Sequence, residues 1–163
     1  MISAIVAVDN NWGIGYNGDL LEYVPDDLKH FKALTTGHVV VMGTNTWNSL
    51  PKKPLANRSN IIISNAQRLI MCQNTLRLHM EDVIEYFKYT KDEVFIIGGG
   101  SIYKQLLPFC DRVYVTKVYK DHENVDTFFP NLDESNEWAP AMSSSLLTYN
   151  DLTYQFWEYD RIS

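Results

Sequence analysis

Apolar residues along this chain come as short unbroken runs and as spaced stripes, and the two patterns predict different elements. ISAIVAV (2–8), VVVM (39–42), NIIIS (60–64) and VFII (94–97) are nearly continuous in apolar residues. Such runs suit strands covered on both faces. RVYVTKVY (112–119) alternates apolar and polar positions, which predicts a further strand. Helical spacing marks 25–35, 80–89 and 101–107. The tail alternates over 137–146 and 152–159 with no helix between, predicting an antiparallel hairpin at a sheet edge. Together these predict an α/β fold: a mainly parallel central sheet with flanking helices and an antiparallel C-terminal hairpin. No repeat, low-complexity tract or linker divides residues 1–163, so a single domain is expected. Residues 9–24 and 120–135 show neither pattern and read as long irregular loops, which in a compact domain tend to be functional.

The first helical stripe carries an anomaly. Pro25 suits a first helical position, because its fixed φ is helical and it has no N–H to lose. At about 100° per residue, Val24, Leu28, Phe31 and Leu34 share one face. Asp27 falls between Phe31 and Leu34 on that face, whereas Asp26 falls nearly opposite, toward water. Acidic residues favour a helix N-terminus through its dipole, and this accounts for Asp26. A carboxylate turned into an apolar wall is costly unless something pairs with it. Asp27 is therefore the leading candidate for a ligand-binding acid.

Composition narrows the ligand. A net charge of −6 argues against a general nucleic-acid or anionic-membrane binder, so an anionic ligand needs local donors. The N-terminal run reaches Asp9 quickly, lacks a basic start and reads as a strand rather than a signal peptide. No run approaches a membrane span. Two cysteines and four scattered histidines offer no disulfide framework and no metal spacing, and a reducing, intracellular setting is expected.

Several predicted strands end in small or hydroxyl residues. VVVM runs into Gly43-Thr44-Asn45-Thr46, NIIIS into Ser64-Asn65, and VFII into Gly98-Gly99-Gly100-Ser101. In open α/β sheets, ligands bind beyond the carboxyl ends of the strands. Glycines there admit close backbone approach, and a following helix offers free N–H groups to an anion. Two strand–glycine–helix junctions and a strand–serine turn predict a nucleotide with phosphates, although these junctions carry neither the GxGxxG nor the GxxxxGK pattern. WGIGYNGDL (12–20) reads as a lid that closes over a ligand.

In their order and spacing these pieces resemble the dihydrofolate reductases. The matching segments are ISAIVAV, GIGYNGDL, PDDLKHF, VVMGTNTWNSL with PLANRSNIIIS, VFIIGGGSIY, RVYVTKV and DTFFP, over essentially the whole chain. The resemblance implies a fold like the one read above. It implies reduction of 7,8-dihydrofolate to 5,6,7,8-tetrahydrofolate, by hydride transfer from NADPH to C6 with protonation at N5. It further implies a cytoplasmic monomer serving one-carbon metabolism, inhibited by antifolates such as trimethoprim or methotrexate, with no metal, nucleic-acid or membrane partner.

Roles follow residue by residue from the resemblance. Asp27 matches the single acid of the pterin pocket, bonding the pteridine N3 and 2-amino group, and Thr116 matches the threonine that supports it. Leu20 matches a pocket wall and joins these two in the catalytic set. Ile5, Leu28, Phe31, Leu50 and Leu55 match the walls around the pterin and aminobenzoyl rings. Arg58 matches the arginine that clamps the substrate's glutamate α-carboxylate, a task suited to its two-pronged donors. Ala7 and Ile14 match the nicotinamide lining, Gly15 matches a cofactor position, and Ile97 and Tyr103 lie near the hydride path. Gly43, Thr44, Asn45, Thr46, Ser64, Asn65, Gly98, Gly99, Gly100, Ser101 and Ile102 match further cofactor positions. Trp12 and Trp47 read as packing. No second acid stands near, so the N5 proton is expected through water.

The chain departs from the family at two places. Leu21-Glu22 stands where the family usually has proline then tryptophan. Pointing inward, Glu22 would raise one pKa of a carboxylate pair; pointing outward, it leaves the site without an aromatic lid and a water anchor. Thr44 stands where an arginine commonly meets the adenosine 2′-phosphate, and Asn65 and Ser101 add no charge, which leaves Arg68 or Arg77 to compensate. NADPH is therefore expected with a narrow margin over NADH. Two rival readings remain. A fold-mate reducing a ribosylaminopyrimidine has no glutamate tail for Arg58, and a catalytically weak binder has only Glu22 in its favour.

Overall fold

In the computed structural model, which describes residues 1–163, the continuous apolar runs become the centre of one ten-stranded sheet. In chain order the elements are β1 (Ile2–Val8), β2 (Gly13–Tyr16), β3 (Asp19–Leu20), α1 (Pro25–Thr35), β4 (Val39–Gly43), α2 (Thr44–Ser49), β5 (Ser59–Ile63), β6 (Leu69–Cys72), β7 (Thr75–Leu78), α3 (Met80–Tyr89), β8 (Val94–Gly98), α4 (Gly100–Leu106), β9 (Arg112–Val118), β10 (Thr127–Phe128), β11 (Trp138–Ser143), β12 (Leu147–Tyr149) and β13 (Leu152–Arg161). The sheet runs β11-β13-β9-β1-β8-β4-β5-β7-β6, with β12 also on β13. Its interior pairs, from β9 to β7, are all parallel. Antiparallel pairing is confined to the two edges.

Burial explains the unbroken runs. Val40, Val41, Met42, Val94 and Ile96 are wholly buried, because both sheet faces are covered. The pleat sends successive residues to opposite faces. Val39 and Val41 join the larger core with Leu106 and Tyr159, while Val40 and Met42 join Ile5, Ile62 and Phe95 on the other side. Phe31 and Leu34 of α1 pack onto this second cluster.

The structure differs from the expectation where local turn chemistry competes with periodicity. The stretches 9–24 and 120–135 are not irregular throughout, since they supply a small antiparallel sheet, β10-β2-β3. Its β2–β3 turn is Asn17-Gly18, with φ of 55° and 83°, an Asn-Gly hairpin signal visible in the sequence. The β6–β7 hairpin turns at Asn74, and its four-residue strands are too short for a clear alternation. The C-terminal hairpin is present, but its first arm is broken into β11 and β12, both paired to β13. Helix α2, TNTWNS, is too short and polar to show a stripe. Strand β5 ends at Ile63, which leaves Ser64 just beyond it.

Candidate active site

The parallel strands bring their carboxyl ends to one edge of the sheet, and the site is built there. Ala7 of β1 lies opposite Thr116 of β9 in the ladder. Thr116 is buried, and its hydroxyl donates to Asp27 Oδ1 at 2.6 Å. Helix α1 delivers Asp27 from the other side, and the inward–outward split of the two aspartates holds. Asp27 is half-buried, whereas Asp26 is exposed and accepts the Tyr154 hydroxyl at 2.7 Å. Burial pushes the Asp27 carboxyl above the usual carboxylate range, with the Thr116 hydrogen bond and nearby His30 opposing it. Neither partner supplies a salt bridge, so Asp27 is a covered acid with acceptor capacity left over.

The predicted walls divide into two sets. Phe31, Leu50, Leu55 and Ile97 are partly buried and pack on the cluster that contains Ile5. Leu28 and Leu20 do not share that burial, being 46% and 69% exposed. For Leu28, part of the shared face therefore lies outside the core. The face of α1 meets the core through Phe31 and Leu34, and its first turn borders a cavity that Asp27 lines. Leu20, on β3, lines the same cavity.

Arg58 is half-buried and has no carboxylate within ion-pair distance. Its Nη1 donates to Thr35 Oγ1 at 3.0 Å and its Nε to the Ala56 carbonyl at 2.9 Å, while the guanidinium lies 5.8 Å from the Phe31 ring centroid. Burial without an anion lowers its pKa. The fork is thus oriented by neutral partners and left free for an external carboxylate.

At the other end of the cleft the glycines answer to close packing. A Cβ on Gly43 would stand 2.9 Å from Ile102 Cγ1, and one on Gly100 would stand 2.5 Å from Thr127 Cγ2. Gly98 has φ +123°, and its missing Cβ would lie 3.4 Å from both Thr46 Oγ1 and Tyr103. The ends of β4 and β8 therefore converge on Thr46. Helices α2 and α4 begin there, and no side chain caps either one. Thr44, Asn45, Asn65 and Ser101 are exposed, and Ala7, Ile14, Gly15, Ser64, Gly99 and Ile102 are half-buried. Tyr103 is buried, donates its hydroxyl to the Ile5 carbonyl at 2.6 Å, and has its pKa pushed up by burial. Its role is a wall tied to β1.

Neither sequence candidate for a charge beside Thr44 is idle. Arg68 forks onto Asp82, at 2.7 Å from Nε, and reaches Glu81 at 3.3 Å. Arg77 Nε donates to the Gln67 carbonyl at 2.8 Å.

Sequence patterning gives little sign of Asp9, His122, Lys120 and His30. Glu22 lines the same cavity as Asp27, which corrects the expectation of no second acid nearby. Its Oε1 accepts Lys120 Nζ at 2.9 Å and meets His122 Nε2 at 2.9 Å. Lys120 foremost, with His122, holds the Glu22 carboxyl below its usual range, so the raised partner expected of an inward Glu22 is not Glu22 itself. Asp9, in a VDNNWG segment with Asx-turn chemistry, accepts the Asn11 and Gly13 N–H groups. His30 stacks on Phe156 with centroids 4.1 Å apart, and burial lowers its pKa.

A sequence profile described as dihydrofolate reductase matches residues 1–161. The chain belongs to the dihydrofolate reductase family. It is 38% identical to the dihydrofolate reductase of Bacillus subtilis, over 99% of this chain and 95% of that one. It is 35% identical to the dihydrofolate reductase of Mycobacterium leprae, over 99% and 98%. Among solved structures, the dihydrofolate reductase of Enterococcus faecalis, complexed with NADP(H) and RAB-propyl, superposes with a TM-score of 0.86 at 29% identity, covering 100% of this chain and 97% of that one. The α/β fold with its mixed sheet is thus the dihydrofolate reductase fold. No helix is long and apolar enough to cross a membrane.

Proposed function

We propose that Asp27, fixed by Thr116, is the residue on which reduction of 7,8-dihydrofolate by NADPH turns in this chain. The reaction is the family's: hydride adds at C6 of the pterin, a proton adds at N5, and tetrahydrofolate results. The observation that carries the assignment is the 2.6 Å bond from Thr116 to a covered carboxylate that has no cationic partner. Such a carboxylate accepts a pair of donors well, and the pterin N3–H and 2-amino group are such a pair. Because burial raises its pKa, Asp27 exchanges a proton closer to neutrality than an ordinary carboxylate does. It couples the pterin's protonation to hydride addition from the N3 side, and water carries the proton to N5.

The remaining residues bind and exclude water. Ile5, Leu20, Leu28, Phe31, Leu50, Leu55 and Ile97 wall the two rings of the substrate, and Arg58 receives the glutamate α-carboxylate. The cofactor fits the other end, where two helix starts without side-chain caps leave backbone N–H groups free to meet an anion. Gly43 to Thr46, Ser64, Asn65 and Gly98 to Tyr103 would hold its phosphates and sugars, with Ala7, Ile14 and Gly15 beside the nicotinamide. When bound, the reduced nicotinamide supplies the hydride. The chain works as a cytoplasmic monomer, and antifolates such as trimethoprim or methotrexate meet the same Asp27.

Arg58 favours folate over a ribosylaminopyrimidine, which has no glutamate to clamp. Mixing the protein with dihydrofolate and NADPH should remove the near-ultraviolet absorbance of the reduced nicotinamide. A protein that binds both ligands and leaves that absorbance unchanged would instead be a folate- or nucleotide-binding module.

A further inference from the structure

A second group of ionisable side chains borders the cavity that Asp27 lines. Glu22 Oε1 meets Lys120 Nζ and His122 Nε2, and the far imidazole nitrogen, Nδ1, lies 3.0 Å from Asp9 Oδ2. One ring thereby faces two carboxylates; either neutral tautomer donates to one of them, and the protonated ring donates to both. Asp9 Oδ1 takes the Gly13 and Asn11 N–H groups at 2.8 and 2.9 Å. The Asp9 side chain is fully covered and that of His122 is only 13% exposed, so the Asp9–His122–Glu22 part is shielded, and Lys120 meets Glu22 from a half-exposed position. It joins the end of β1, the approach to α1 and the segment after β9.

Two carboxylates on one cavity oppose each other's ionisation. Burial raises the Asp27 pKa, and the Thr116 hydrogen bond and His30 oppose that rise. The groups around Asp27 are Thr116 on β9, His30 on its own helix, Tyr103 on α4 and Tyr154 on β13. Those around His122 are Asp9 and Glu22, with Lys120 in its own segment, while Asp121 is occupied by Asn10 and Asn11.

We propose that Lys120 and His122 are positioning residues for the reduction: by binding Glu22 they cancel the charge of a second carboxylate on the cavity wall and leave proton control to Asp27. This rests on reading the cavity as the pterin site. Asp9 is the covered anchor that keeps the imidazole turned toward Glu22.

The test is single-turnover hydride transfer against pH, with saturating dihydrofolate and NADPH. The proteins are wild type, Lys120→Met, His122→Ala and the double variant Glu22→Gln/His122→Ala. Freed of its partners, Glu22 opposes ionisation of Asp27, so Lys120→Met moves the pH midpoint upward by about one unit, the ordinary spread that neighbouring charges produce. His122→Ala moves it the same way by less, because Lys120 is the stronger partner. KM for dihydrofolate stays near the wild-type value, and the double variant returns the midpoint toward wild type. A purely structural link would lower the rate at every pH, leave the midpoint in place and show no recovery in the double variant; that result overturns the proposal. Should His122→Ala fail to fold, Lys120→Met at its half-exposed site decides alone, and an unmoved midpoint refutes it. A wild type with no turnover of dihydrofolate overturns the functional reading instead.

Discussion

At the pterin end of the cleft, Asp9, Glu22, Lys120 and His122 lie in direct contact, and Asp27 stands apart on the Thr116 hydroxyl. At the proposed nucleotide end, Thr44, Ser64, Asn65 and Ser101 offer neutral groups, Arg68 is paired with Asp82 and Glu81, and Arg77 holds a single backbone carbonyl. The first end concentrates charge and covers most of it, with Lys120 half-exposed at its rim, so the covered side chains there are consequential. The second relies on backbone N–H groups and glycines, so affinity is spread over many weak donors. A single substitution should therefore hurt the pterin end far more than the nucleotide end.

The largest effect should come from Asp27→Asn. It keeps the Thr116 contact and the fold but removes the ionisable group, and hydride transfer near neutral pH should fall by orders of magnitude with cofactor binding unchanged. Asp26→Asn should do little, because Asp26 is exposed and an amide oxygen can still accept from the Tyr154 hydroxyl. Equal losses from both, measured by single turnover, would mean that the inward and outward aspartates do not differ in the reaction.

Arg58→Leu should come next. Losing a well-desolvated charge pair costs about 2–5 kcal/mol, so folates with a glutamate tail should bind far more weakly while tailless pterins are nearly indifferent. Calorimetry with both ligand classes separates the outcomes, and equal losses would remove Arg58 from the carboxylate site.

A smaller effect is expected at residue 44. NADPH should be preferred over NADH by a narrow margin. Thr44→Arg should widen it by lowering KM for NADPH about tenfold, the worth of one charge-assisted bond, with little change for NADH. If the wild type already rejects NADH strongly and Thr44→Arg adds nothing, a cation outside this corner holds the phosphate.

The smallest effect concerns stability. The folded chain holds the Asp27 proton more tightly than the unfolded chain does. Folding then takes up a proton between the ordinary carboxylate pKa and the raised one, and stability falls as pH rises through that window. Asp27→Asn should thus raise Tm slightly near neutrality and leave it unchanged in acid. A lowered Tm near neutrality would mean that ionised Asp27 stabilises the fold.

What the sequence reveals follows from the range of each interaction. The central strands are legible because burial on both faces writes itself as unbroken apolar runs, as in VVVM and VFII. Asp27 is legible because a helix converts spacing into direction. Leu28 shows the limit of the same rule, because periodicity names a face without saying whether core or cleft lies opposite. The β2–β3 hairpin carries a local Asn17-Gly18 signal, but its two-residue strand β3 is too short to show a pattern. The Asp9–His122–Glu22 array joins residues about a hundred positions apart, which no local pattern records.

On this reading Asp27 alone sets the proton dependence of the reaction. Single-turnover hydride transfer across pH, in the wild type and Asp27→Asn, tests it most directly. The wild-type rate should fall as pH rises through a midpoint above the ordinary carboxylate range, and Asp27→Asn should be slow and lack that midpoint. A slow Asp27→Asn protein that keeps the wild-type midpoint would place proton control on another group and contradict the account.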